Sequence, residues 1–341
     1  MADRDPVVAG GASVEGVGVG EGQPPRVGLG AIVAFVLIAC GLAWIVALPL
    51  WLGDGLREPF ATPLLPVMMY TPAAAVLAVM LVLRPVPRGQ RLRFLGMWPL
   101  RPAKRVVWMS VLGLLAPILL VFLSLLVAAA FGWVQLDLLG LSGFQQVLAL
   151  QAPAGTPLPP VGVLLATQLV TIPIAAATVN ALAAFGEEVG WRGFLVPALR
   201  RYGTWPALLI SGVVWGLWHA PIVLLGYNFN RPDLTGVLLM VGGAVAWGVL
   251  LGWLRLRSAS VWPAVFAHGA LNGAAGMFVL FFAAGTTTDL AFSGPLGVAM
   301  WIVAAVVVLV LLITGQFRKQ PSLAASRPTA AGQVAPVAPE A

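Results

Sequence analysis

One cysteine, Cys40, serves 341 residues, so no intramolecular disulfide can form; because Cys40 lies within an apolar run, it reads as a packing residue. Charge is equally scarce. Only 9% of residues are charged, against about 25% in soluble domains, while 60% are apolar and the mean hydropathy is +0.96. This balance excludes a soluble globular domain and specifies an integral membrane protein. The formal charge of +7 would suit nucleic acid, yet the basic residues lie between apolar runs and form no stripe interleaved with aromatics, so no nucleic-acid partner is expected. Of 19 basic residues 17 are Arg, which, with abundant Ala, Gly and Val, fits a GC-rich bacterial genome.

What the chain has is long apolar runs. Eight stretches approach the roughly 20 residues that cross a bilayer: about 29–52, 62–83, 106–131, 161–184, 206–226, 235–255, 261–283 and 292–314. In lipid every backbone group must be satisfied within its own segment, so these are helices, with Pro49, Pro72, Pro117 and Pro173 as candidate kinks. The expected fold class is an all-α polytopic membrane helix bundle of about eight transmembrane helices. Residues 1–26 and 317–341 read as polar, Gly/Pro- or Pro/Ala/Ser-rich tails flanking a transmembrane domain over 27–316. The N-terminal tail is too acidic at its start for a cleavable signal peptide.

Orientation follows from Arg and Lys. The connection after the second stretch carries Arg84, Arg88, Arg91, Arg93, Arg101, Lys104 and Arg105. Setting it on the cytoplasmic side places 17 of the 19 basic residues there, Arg192 and Arg255 included, and leaves only Arg57 and Arg231 outside. Both termini are then cytoplasmic, in what is expected to be a bacterial plasma membrane.

Ten of the twelve acids fall in tails or expected loops; the exceptions are Glu187 and Glu188. Both histidines, His219 and His268, fall within expected spans. Titratable groups there cost several kcal/mol unless paired or facing a wet cavity, so they are candidate functional residues. Glu187 falls near the inner end of the fourth stretch, with His219 and His268 at depths of roughly 20 and 10 Å in the fifth and seventh. All three can line one cavity reached from the cytoplasm.

On a helix Glu188 and Arg192 are neighbours at i and i+4, while Glu187 is turned about 100° away. Glu188 has a local cation to fix it. Glu187 does not, and is the carboxylate suited to take a proton from water, with Glu188 and Arg192 as its structural support. In "WGLWH", Trp215, Trp218 and His219 share a face, and Pro221 can open the backbone just beyond. In "HGALN", His268 and Asn272 stand at i and i+4. Each feature alone has a bland reading: a helix-end ion pair, a packed histidine, an asparagine bridging two helices. Together they offer a base, a partner to orient water and two donors for an oxyanion, the parts that amide hydrolysis requires. Glu187, His219 and His268 also make a conceivable zinc set. No H-E-x-x-H helix is present. No serine stands beside either histidine, and Cys40 is remote, so a serine or cysteine nucleophile is not expected.

The stretches "EEVGWR" (187–192), "WGLWH" (215–219) and "HGALN" (268–272) resemble, in order and placement, the motifs of the CPBP family, the CAAX prenyl endopeptidases and their bacterial Abi-like relatives. The resemblance covers about residues 160–285, with Trp215 where the family usually has Phe. It implies an intramembrane endopeptidase acting near the cytoplasmic side on membrane-anchored peptides or proteins. Glu187 would activate water with His219, and His268 with Asn272 would stabilise the oxyanion. Family members are described both as metalloproteases and as glutamate proteases. Asn is a poor zinc ligand, so the preferred reading requires no cofactor, with zinc as the other option. Two further classes fit the same polar cluster: a non-catalytic membrane regulator or bacteriocin-immunity-type protein, and a proton-coupled transporter.

Overall fold

A computed structural model describes residues 25–153 and 156–318. The tails expected at 1–26 and 317–341 lie almost wholly outside them. Among the described residues the chain is helical, and its one β feature is an isolated bridge between Leu136 and Phe282. The helices used below are α1 (Leu29–Leu52), α2 (Ala61–Met69), α3 (Thr71–Val82), α4 (Ala103–Ala130), α5 (Ser142–Gln151), α6 (Val161–Ala177), α7 (Val179–Glu188), α8 (Thr204–Trp218), α9 (Leu234–Ser258), α10 (Trp262–Ala274) and α11 (Val298–Ile313).

Among the described residues seven helical stretches are long and apolar enough to cross a membrane, and the 15-residue α8 is a shorter eighth. Their outward faces are apolar: Leu37, Leu115, Leu169 and Leu309 are all exposed, as hydrocarbon rather than water would allow. The chain is therefore an all-helical polytopic bundle, as its composition requires.

Four expected spans differ in detail. The second is broken at Tyr70, and Pro72 opens α3 at its first turn instead of kinking a continuous helix, as suits a residue without an N–H. The fourth runs on to Tyr202, broken at Thr178, so Glu187 sits about four turns from its end and not close to it. The fifth ends at Trp218. Pro221 has no N–H to bond back to Leu217, and the chain turns at His219 before the short helix Ala220–Val223. The seventh is interrupted between α10 and Met277–Phe281. Pro49, Pro117 and Pro173 do lie inside helices. Cys40 is half-buried and packs against the apolar core.

The bundle centres on α10, which packs on α4, α6 and α7, while α8 lies along α9. The second pairing depends on small residues. Gly212 and Gly216 are spaced as in the small-xxx-small pattern of close membrane helix pairs. A Cβ at Gly216 would lie 2.5 Å from Val241 Cα, and one at Gly212 2.8 Å from Val245 Cα. Gly216→Val should thus force α8 off α9 at a cost of about 1–3 kcal/mol, the range for overpacking. It would be read as a lower thermal denaturation midpoint in nanodiscs; an unchanged midpoint would mean that the contact is not tight.

Candidate active site

The backbone carrying the glutamates is not plain α-helix. Beyond Glu188 it becomes π-helical over Val189–Leu195, closing with Val196 N–H on Trp191 O, a five-residue step. Such segments recur at functional sites because the extra residue re-aims side chains. The Glu188–Arg192 pair survives this change: Arg192 Nη1 donates to Glu188 Oε1 at 2.7 Å, both groups buried.

Glu188 is bound a second time, by a residue eighty positions away. His268 Nδ1 stands 2.9 Å from the same Oε1. An ionised carboxylate only accepts, so Nδ1 carries the proton of that bond. Arg192 also lies over the Trp215 ring, its Cζ 4.3 Å from the centroid, a cation–π contact in a desolvated setting. Its Nε and Nη2 make no hydrogen bond.

Glu187, by contrast, touches no cation through a hydrogen bond. Its Oε2 accepts from Trp215 Nε1 at 2.6 Å and from Trp191 Nε1 at 3.3 Å. Both bonds fall on one oxygen, leaving Oε1 for another partner. Trp218 is fixed by its own indole N–H on Thr71 Oγ1 at 3.0 Å. His219 Nδ1 is 2.9 Å from Trp215 O, a carbonyl that can only accept, so in the neutral ring Nε2 is left as an acceptor. The two imidazoles meet neighbouring indoles edge to face: His219 with Trp218 at 4.6 Å, His268 with Trp215 at 5.2 Å.

These groups surround a cavity of about 290 Å³. Glu187, Trp215, His219, His268 and Asn272 all line it, whereas Glu188 and Arg192 stand behind. Met68, Met69, Ile222 and Leu271 supply apolar wall. Three further polar groups on the wall, Asn180, Tyr227 and Asn228, are absent from the sequence-derived set. Asn180 had a readable signal, since it precedes Glu187 by seven residues, two helical turns, and so shares its face. Tyr227 had none beyond following the fifth apolar stretch. Burial, and then the charge of Glu187, hold its phenol above the usual range, so it remains a neutral donor.

Among the described residues no three His, Cys, Asp or Glu side chains are grouped to hold a metal ion. Within the conceivable zinc set, Nδ1 of His219 and of His268 and one oxygen of Glu187 are already bonded, a pattern that orients metal-binding histidines and leaves Nε2 of each ring and Glu187 Oε1 open.

Residues 169–274 match the family model described as Type II CAAX prenyl endopeptidase Rce1-like. That segment runs from before the glutamates to just past Asn272. CAAX prenyl protease 2 of Methanococcus maripaludis is 30% identical over 98 residues, covering 27% of this chain and 36% of that protein. The chain thus spans about a third of the length of the curated relative it matches.

Proposed function

From the match of residues 169–274 to the Rce1-like family model, we propose that this protein is an intramembrane endopeptidase. It would hydrolyse peptide bonds of membrane-anchored peptides or proteins near the cytoplasmic face, with both of its termini on that side. The observation that carries the reading is the single cavity on which Glu187, His219, His268 and Asn272 converge.

A water held between Glu187 Oε1 and His219 Nε2 loses a proton to the carboxylate as its oxygen attacks the scissile carbonyl carbon. The two indoles keep Glu187 aimed while leaving that oxygen free. Negative charge then gathers on the former carbonyl oxygen, where His268 Nε2–H and the Asn272 amide donate. With Nδ1–H bound to Glu188, Nε2 donates there only when the ring carries its second proton as well. Collapse breaks the C–N bond, and the proton on Glu187 passes to the leaving nitrogen. No cofactor enters these steps.

The test is cleavage of a library of membrane-anchored peptides by the full chain in nanodiscs, with and without a strong zinc chelator. Cleavage that survives chelation supports the water activated by glutamate alone; loss on chelation replaces it with a metal-assisted reading. No cleavage by wild type across the library would return the polar cluster to a partner-binding regulator. In the same assay Asn272→Ala should lower kcat by ~10²–10³ with little change in KM, the effect of losing one oxyanion donor. A rise in KM alone would make Asn272 a binding residue instead.

A further inference from the structure

The reaction leaves one buried cation without a role. Arg255, on the last turns of α9, has no exposed surface and no ion-pair partner among the described residues. The orientation rule assigns Arg255 a side of the membrane; the structure adds that its side chain is buried within the bundle. Nε donates to the main-chain carbonyl of Arg192 at 3.0 Å, and Nη2 to that of Phe94 at 2.8 Å.

The sequence explains why the first carbonyl needs a donor. In the π-segment Val196 N–H goes to Trp191 O. The next donor in that register would be residue 197, which is proline and has no N–H. A buried carbonyl without a partner is costly. The Arg255 guanidinium stands where the missing amide would act. Room for it comes from Gly96, at φ +71, where a Cβ would lie 2.6 Å from Arg255 Cζ. Gly96 O in turn accepts from Val261 N–H and Ser260 Oγ, tying the 94–97 turn to the start of α10.

We propose that Arg255 is a positioning residue for the site: it replaces the N–H that Pro197 lacks and so fixes the π-helical register that aims Glu187 and Arg192. Arg192 presents its carbonyl to Arg255 and its side chain to Glu188, so a shift of this one residue reaches His268 as well. The Phe94 carbonyl shares the same guanidinium, which couples the site to the turn before α4. Only the activity readout rests on the protease reading.

The experiment compares wild type, Arg255→Met, Arg255→Lys, Pro197→Ala and the double variant Arg255→Met with Pro197→Ala, all as full chains in nanodiscs. Two readouts are taken: peptide cleavage, and the ¹⁵N-indole resonances of Trp191 and Trp215, whose N–H groups both bind Glu187. Arg255→Met should lose at least about tenfold in kcat, as displacements near 1 Å can cost up to ~10²-fold. Its KM should stay within roughly twofold, because the loss is one of transition-state geometry. Both indole resonances should move. Pro197→Ala alone should resemble wild type, and in the double variant the restored main-chain N–H should return both resonances and most of the rate. Arg255→Lys should fall between, since one ammonium lacks the fork that serves two carbonyls.

Unmoved resonances in Arg255→Met, or a double variant no better than the single, would overturn the proposal. If Arg255→Met does not fold, the double variant must fold, and its failure overturns the proposal equally. If wild type cleaves nothing, the indole signals decide the matter alone, so the failure of the protease reading stays distinct from the failure of this one.

Discussion

Glu187→Gln is expected to lower cleavage by ~10²–10⁴-fold while leaving the fold intact, the contribution typical of a positioned general base. In energetic terms that is about 3–5 kcal/mol of barrier. Glutamine is the informative replacement because its carbonyl oxygen can still accept from Trp215 and Trp191, so the indole clamp and the packing around it persist. What it cannot do is take a proton from water. The comparison requires an unchanged thermal midpoint alongside the lost rate. A variant that folds normally and cleaves at wild-type rate would falsify the assignment of Glu187 as base and leave His219 Nε2, another acceptor on the cavity, to be tested in its place.

Arg192→Met is expected to have the largest effect on stability. The substitution keeps much of the side chain's volume but leaves Glu188 buried with only His268 beside it. Breaking a buried pair by removing one partner costs about 3–5 kcal/mol, whereas removing both is often close to neutral. Adding Glu188→Gln to Arg192→Met should therefore recover much of the loss, a non-additivity that a double-mutant cycle on denaturation midpoints measures directly. Strictly additive losses would mean that the two groups are not coupled. The Arg192 guanidinium also lies on Trp215, so the double variant should recover stability more fully than it recovers activity.

The residues readable from the sequence were those whose logic is local. The i, i+4 pairing of Glu188 with Arg192 and of His268 with Asn272, and the shared face of Trp215, Trp218 and His219, follow from helix periodicity alone. Polarity inside apolar runs then singled out stretches that line one cavity. The rest depends on contacts between helices. That the Trp215 indole would bind Glu187, or that His268 would bind Glu188 and not stand free over the cavity, follows from how α7, α8 and α10 meet. Helix breaks at Tyr70 and Thr178 were hidden inside unbroken hydrophobicity. That Arg255 turns into the bundle was not legible, because a topology rule counts charges near span ends without asking which way each points. Pro197 was visible throughout, but its meaning required knowing that the preceding turns are π-helical.

The split between the near and the distant partners of Glu188 also sets an order of events during synthesis. Arg192 is four residues away and enters the bilayer on the same segment, so the acid is never without a counter-charge. His268 lies eighty residues later. At translation rates of about 5–20 residues per second, it follows after roughly 4–16 s. For that interval the glutamate segment must reside in lipid, or beside the insertion machinery, with its second partner not yet made. A bare Asp at the centre of a span costs about 2.5–3.5 kcal/mol to insert, and a bare Glu should cost a comparable amount. The local arginine therefore acts as a chaperone in cis, carrying the acid into the membrane before the histidine arrives.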